Sequence, residues 1–316
     1  MSATLPEGQH IPVMLEPAIE HLNCRPGGIY IDGTVGGGGY TRAILEKSEP
    51  DGTVVGLDWD MEAIERVRER LSVYGSRLIL EKADYADIRQ ALYKHNLERV
   101  DGIVVDLGLS SYQIDDAERG FSFMQEGPLD MRMDRELPLS AADLVNTLPE
   151  RELADLIYRY GEERMSRRIA RAIVTERKNR PIEGTRELAE LIRKAVPRTR
   201  DAVRIHPATR TFQALRIAVN HELESLERFL PEAFDLLGPG GRLCVVSFHS
   251  LEDRIVKETF REWARQCRCP RELAACACEG RPLVRVLTRK TLRPSPDEVE
   301  RNPRARSARL RAVEKL

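Results

Sequence analysis

Tyr30-Ile-Asp-Gly-Thr-Val-Gly-Gly-Gly-Gly-Tyr-Thr41 is a short apolar run that reaches a carboxylate, Asp32, and passes into four consecutive glycines. The run reads as a buried strand and the glycines as the turn into a helix, where backbone can approach a ligand with no Cβ in the way. In a doubly wound sheet, that turn lies at the carboxyl edge of the strands, where ligands bind.

Spacing narrows the ligand. A dinucleotide fingerprint needs Gly at i, i+2 and i+5, yet counting from Gly36 the third position is Thr41, and counting from Gly37 it is Arg42. No Gly-Lys-Ser/Thr follows, so a nucleotide-triphosphate loop is disfavoured as well. A second carboxylate, Asp58, stands 22 residues after Gly36, where it can accept both ribose hydroxyls of an adenosine. Asp84 or Tyr85 closes the next strand and Asp106 the one after. An acidic rim repels a pyrophosphate and suits a ligand with cationic groups, such as S-adenosyl-L-methionine with its sulfonium and ammonium.

Outward from the loop, TVVGLDWD, RLILEKAD and VDGIVVDLG read as further buried strands with helical segments between them. Asp60 is placed to cap a helix whose apolar face is Ile64, Val67 and Leu71. Strand and helix in alternation predict a parallel sheet with right-handed crossovers. From 112 to 206 the pattern is helical, with a capping box at Thr147-x-x-Glu150 and a helix from Thr185 stopped by Pro197. A helical stretch from about Pro207 to Leu237 leads into RLCVVSFHS, another central strand, while PLVRVLTRK and SARLRAVEK read as antiparallel edge strands. The expected organisation is a core from 1–111 and 207–316, interrupted by an all-helical insertion at 112–206.

A length of 316 residues, with 41% apolar and 32% charged residues, fits such a soluble two-part chain and excludes a fibre or a disordered one. No window approaches the ~20 apolar residues of a membrane span, and the N-terminus does not read as a signal peptide. The net charge of -1 hides an asymmetry: residues 1–110 carry 11 Lys and Arg against 18 Asp and Glu, whereas 164–216 carry 15 against 5. Residues 281–311 carry 10 bases against 3 acids. Concentrated positive charge points to a polyanion partner, a solvated helix face being the plainer reading.

The strings DGTVGGGGYT, DGIVVDLGLSSYQIDDAERGFSF, GPLDMRMD, HPATRTFQALRIAVN, SFHSLEDRIVK and NPRARSARLR, in this order, closely resemble the RsmH (MraW) family of bacterial 16S ribosomal RNA cytosine-N4 methyltransferases. The resemblance spans about His10 to Arg311. It implies a class I S-adenosylmethionine-dependent methyltransferase, Rossmann-like, with an inserted helical domain for RNA recognition, acting on a cytidine of the decoding region of 16S rRNA presented within an assembled small ribosomal subunit. The cofactor contacts it implies fall on Gly38, Gly39, Tyr40, Asp58, Tyr85, Asp106 and Gln113. Tyr40 stands where histidine is frequent in the family, and Tyr85 where phenylalanine is frequent.

An exocyclic cytidine amine is a poor nucleophile, so transfer depends on placing it in line with the methyl and on an acceptor for charge developing on N–H. The Asn/Asp-Pro-Pro-aromatic tetrad that many amino methyltransferases carry is replaced here by Asp106-Leu-Gly-Leu-Ser-Ser111. Asp106, Ser110 and Ser111 are candidate acceptors by location, and Ser247 and His249 could reach the cleft from the fifth strand; no general base is assigned. Phe121, Phe123, Tyr112 and Phe212 are candidate stacking partners for an unstacked base, with core packing the commoner fate. Arg204, His206, Arg210 and Arg216 are candidate phosphate contacts, His206 doubling as a helix cap.

Cys267, Cys269, Cys276 and Cys278 offer the number of thiols a structural zinc needs, but Cys-x-Cys at this short separation is not the usual knuckle. No metal is expected, and free thiols in a reducing cytoplasm are the reading adopted. The rivals are a methyltransferase for another RNA or a protein, and a non-enzymatic RNA-binding protein that keeps the fold. Neither a membrane nor DNA is expected as partner.

Overall fold

The computed structural model describes residues 12–196, 206–267, 269 and 280–316. In chain order, α1 (Leu15–Leu22) precedes β1 (Ile29–Asp32), α2 (Gly39–Lys47), β2 (Thr53–Asp58), α3 (Met61–Arg70), β3 (Leu78–Lys82), α4 (Ile88–Tyr93) and β4 (Val100–Asp106). Six helices follow: α5 (Ser111–Asp115), α6 (Ala141–Thr147), α7 (Glu150–Gly161), α8 (Ser166–Glu176), α9 (Thr185–Ala195) and α10 (Thr209–Asn220). The chain then adds α11 (Glu222–Leu236), β5 (Leu237–Ser247), α12 (Ser250–Trp263), β6 (Val284–Val286), α13 (Pro296–Arg301) and β7 (Arg309–Lys315). Two compact units result: Met1–Gly108 with Leu223–Leu316, and Leu109–Glu222.

The first unit holds one sheet of order β3-β2-β1-β4-β5-β7-β6. β1 to β5 run parallel, and β7 runs antiparallel to both β5 and β6. This is the class I methyltransferase fold. Alternate residues of the central strands serve opposite faces. Ile31, Val55, Ile103, Val105 and Val245 pack with α4, α11 and α12, whereas Tyr30, Val54, Val104 and Val246 pack with α1 and α2. Burial on both faces explains the continuous apolar runs of the sequence, each such side chain contributing about 1.5–3 kcal/mol. At α3, Asp60 accepts from the Glu62 amide at 3.1 Å and Ile64 and Val67 are buried, as their spacing predicts.

Four expectations are corrected. β7 is not an edge strand: it lies between β5 and β6, with Leu310, Ala312 and Val313 buried. Thr147 does not cap α7; it ends α6, its hydroxyl donating to the Asp143 carbonyl at 2.7 Å, and α7 starts after Pro149. The helical stretch 207–237 is broken at His221, whose left-handed φ of 50° terminates α10. The helical unit therefore runs past 206, to Glu222, because Ala208, Phe212, Leu215 and Val219 of α10 and its approach share a core with Leu153, Ile157, Ile169 and Ile192.

Apart from one isolated bridge, Pro128 with Gly184, the described part of the helical unit has no strand. Among the described residues no helix is long and apolar enough to cross a membrane.

Candidate functional site

β1 pairs with β2 on one side and β4 on the other, so the glycine turn after β1 is flanked by the carboxyl ends of both neighbours. Asp32 is fully buried and accepts from the Thr41 hydroxyl at 2.6 Å and the Thr34 amide at 3.2 Å. It braces the loop from beneath, and burial pushes its carboxyl up to about 6. Gly38 has φ 80°, and a Cβ there would lie 2.9 Å from Val67; at Gly39 a Cβ would lie 2.0 Å from the Pro12 ring. Glycine is therefore required at both positions. α2 starts at Gly39 with no side-chain cap and no acidic residue in its first turn, so the first-turn amides of Gly39 and Tyr40 face outward from the helix end.

Asp58, at the end of β2, takes the Gly36 amide on Oδ2 and the Asp60 amide on Oδ1, both at 2.8 Å. Each oxygen keeps a second lone pair for a ligand hydroxyl. Burial pushes this carboxyl up to about 6 as well. At the end of β4, the Asp106 amide donates to Thr34 Oγ1 at 2.7 Å, which leaves its side chain out of the loop's own bonding. Asp106 Oδ1 is buried with no hydrogen-bond partner among the described residues. Burial, with Asp32, Glu252 and Glu298 adding like charge, holds the carboxyl well above the usual range. An oxygen of this kind is costly unless a donor or a cation meets it.

The other expected positions of this unit are taken up differently. Tyr40 is a core residue whose hydroxyl donates to the Val13 carbonyl, so only its backbone remains for a ligand. Tyr85 packs edge-on against Phe229, ring centroids 5.2 Å apart. Asp84 caps the turn at Ala86 and accepts from the Ser225 hydroxyl, a structural duty. Ser247 is buried, its hydroxyl 3.4 Å from the Arg309 carbonyl across the sheet. His249 forms a capping box for α12: Nδ1 accepts from the Glu252 amide at 3.4 Å while Glu252 Oε2 accepts from the His249 amide at 3.2 Å. Neither this cap nor the role of Thr34 is evident from the residue pattern alone, although the DGT triplet that ends β1 carries a signal for the latter.

In the helical unit, Ser110 and Gln113 form a capping box on α5, so the Ser110 hydroxyl accepts the Gln113 amide and the Gln113 carbonyl oxygen accepts the Ser110 amide. Ser111 is the first residue of that helix. Phe212 is buried and meets Phe123 edge-on at 4.9 Å, which removes it as a stacking surface. Phe123 in turn lies against the His206 ring at 4.7 Å, and His206 Nδ1 accepts from the Ala208 amide ahead of α10. Phe121 lies under the Arg119 guanidinium, and Tyr112 is half-buried on α5. Arg216 is no phosphate contact: it makes a bidentate pair with Glu222, 2.8 Å on each arm, with both side chains largely buried. Arg210 is half-exposed, its nearest carboxylate, on Glu163, 3.9 Å away. Arg204, Cys276 and Cys278 lie outside the described residues; of the other two thiols, Cys267 is exposed and Cys269 half-buried.

A family model described as the MraW methylase family matches residues 7–316. The chain belongs to the MraW methylase family. It is 67% identical over 310 residues to a ribosomal RNA small subunit methyltransferase H of Syntrophobacter fumaroxidans, covering 98% of this chain and 97% of that one. Proteins of the same name from Syntrophus aciditrophicus and Geobacter sulfurreducens are 53% and 54% identical, over 99% and 97% of this chain and 100% and 99% of theirs. The match takes in the glycine turn, the strand-end carboxylates and the whole helical unit, so membership of the MraW methylase family applies to both units.

Proposed function

We propose that this protein is an rRNA methyltransferase that moves a methyl group from S-adenosyl-L-methionine to the exocyclic N4 amine of a cytidine in the decoding region of 16S ribosomal RNA. The observation that carries the donor is Asp106 Oδ1, buried at the end of β4 and unpartnered among the described residues, with Asp58 at the end of β2 and, among the described residues, no basic side chain bonded to either carboxylate. Such a site fits a cationic ligand with ribose hydroxyls and opposes a pyrophosphate. Asp58 would accept the ribose hydroxyls, Asp106 would face positive charge, Tyr85 would line the pocket, and Gly38, Gly39 and the Tyr40 backbone would let the ligand approach the turn. The bound donor supplies an electrophilic methyl on sulfur.

Small-subunit rRNA as substrate is supported by the name of relatives that are 53–67% identical over nearly the whole chain. The N4 amine and the decoding region are supported by the sequence strings noted above, and the bases of the helical unit support a role in RNA recognition. Asp106 and His249 are the acceptors favoured for the amine proton in the first unit. Ser110 is less suited, its hydroxyl being used as a cap, and Ser247 is held against β7. The reading is tested by incubating small ribosomal subunits that lack the modification with isotopically labelled donor and digesting the RNA to nucleosides. Label in N4-methylcytidine is the expected result; label in another nucleoside, in protein, or nowhere sinks it.

A further inference from the structure

Most arginines of the helical unit have a partner. Arg119 donates to the Arg132 and Met133 carbonyls, Arg132 chelates Asp130, Arg177 donates to the Val145 and Leu148 carbonyls, and Arg216 grips Glu222. α8 departs from this. Its buried side is Ser166, Ile169, Ala170 and Ile173, and the opposite side carries Arg167, Arg168 and Arg171, extended by Arg164 just ahead of the helix. All four are exposed, at the i, i+3, i+4 and i+7 spacing of one helix face. Among the described residues Arg164, Arg167 and Arg168 form no ion pair, and Arg171 has only an exposed contact to Glu150 at 3.4 Å.

Their place along the helix is unfavourable without a partner. Arg164, Arg167 and Arg168 cluster at the amino end of α8, where the macrodipole is positive, and the first turn contains no acidic residue and no side-chain cap. The carboxylate just ahead, Glu163, is buried and spends Oε1 on the Met165 amide at 2.8 Å. Repulsion among three guanidinium groups and the helix end is relieved when an anion arrives, and a row of arginines at this spacing matches successive phosphates.

We propose that the exposed face of α8, formed by Arg164, Arg167, Arg168 and Arg171, is the surface on which this protein holds RNA backbone phosphates. The inference rests on the RNA-methyltransferase reading and adds the element that binds. Because these contacts are to phosphate, they give affinity and register without sequence preference.

The test uses the full chain and a protein-free transcript of small-subunit rRNA, with affinity measured across a salt series. Replacing three arginines together (Arg164→Gln, Arg167→Gln, Arg168→Gln) is expected to reduce the slope of log K against log salt by about 2 to 3 and to weaken binding at least about tenfold. Affinity for S-adenosylmethionine and the urea midpoint should stay as in the wild type, which a merely structural role would not allow. The matching Arg→Lys triple variant should restore most of the slope. An unchanged slope in the glutamine variant, with wild-type protein still methylating rRNA, overturns this inference alone. A wild-type protein that neither binds the transcript nor methylates subunits overturns the functional reading as well.

Discussion

Asp58 Oδ2 accepts a hydrogen bond from the Gly36 amide at 2.8 Å, so the carboxylate that ends β2 also sets the conformation of the glycine turn after β1. One side chain thus shapes the loop and remains available to a ligand. Asp58→Asn keeps the size but turns an NH2 group toward one of the two amides it now accepts from, leaving a buried donor unsatisfied at a cost of about 1–3 kcal/mol. Affinity for S-adenosylmethionine, measured by calorimetry, is expected to fall at least about tenfold. Unchanged affinity would remove Asp58 from the site.

Cofactor binding should be linked to proton release. The Asp106 carboxyl sits well above its usual range and Asp58 at about 6, both chiefly through burial, so the empty site holds protons that a cation displaces. Affinity therefore rises with pH, by up to about tenfold per unit for each proton released, and drops further as Asp58 protonates below about 6. For the empty protein the sign is opposite: Asp32, moved from 3.8 to about 6, favours the folded state when protonated, and that contribution is lost as pH climbs through this window. Calorimetry in buffers of different ionisation enthalpy reads the protons directly, and a pH-independent affinity with no proton release would contradict the linkage.

Gly38→Ala is expected to destabilise the protein by about 1–2 kcal/mol, because φ 80° is a left-handed conformation and the new methyl would press on Val67. Urea denaturation reads the loss, and cofactor affinity should fall with it. Wild-type stability would mean that the turn relaxes without glycine.

In the helical unit, Asn220 is buried and joins three backbone groups: its amide nitrogen donates to the Met131 and Arg216 carbonyls, and its oxygen accepts the Met133 amide at 2.7 Å. Asn220→Ala leaves the Met131 carbonyl and the Met133 amide unsatisfied, the Arg216 carbonyl keeping its helical partner, with an expected cost of roughly 2–4 kcal/mol. Affinity for S-adenosylmethionine should survive in whatever fraction remains folded, while rRNA methylation is lost. Methylation at the wild-type rate would show that the 131–133 loop is not needed.

The sheet was legible because its strands are buried on both faces and their apolar runs stand out against charged helices; Asp32, Asp58 and Asp106 were legible as strand ends. What the sequence hid depends on tertiary partners. Arg216 looks like any surface base until Glu222 is found beside it, and the Tyr40 hydroxyl looks free until it is seen on the Val13 carbonyl, which leaves the backbone of that residue as what it can offer a ligand. Thr147 fits the capping box pattern, yet its hydroxyl serves its own helix. β7 alternates apolar and basic residues as an edge strand does, but the Asp253 carboxylate of α12 accepts from both Arg309 and Arg311, which satisfies the basic side chains while the strand lies inside the sheet.

β4 joins β5 through pairs such as Val105 with Val245, and the contiguous stretch Leu109–Glu222 is threaded between them. During synthesis β4 must emerge with one flank bare and stay so until the inserted stretch has been made, while that stretch, being contiguous, can collapse by itself and draw the two strand ends together. Chains stalled before residue 237 should therefore be sticky, and release past β7 should be what makes them soluble, an order that pulse-labelled hydrogen exchange on stalled chains would reveal.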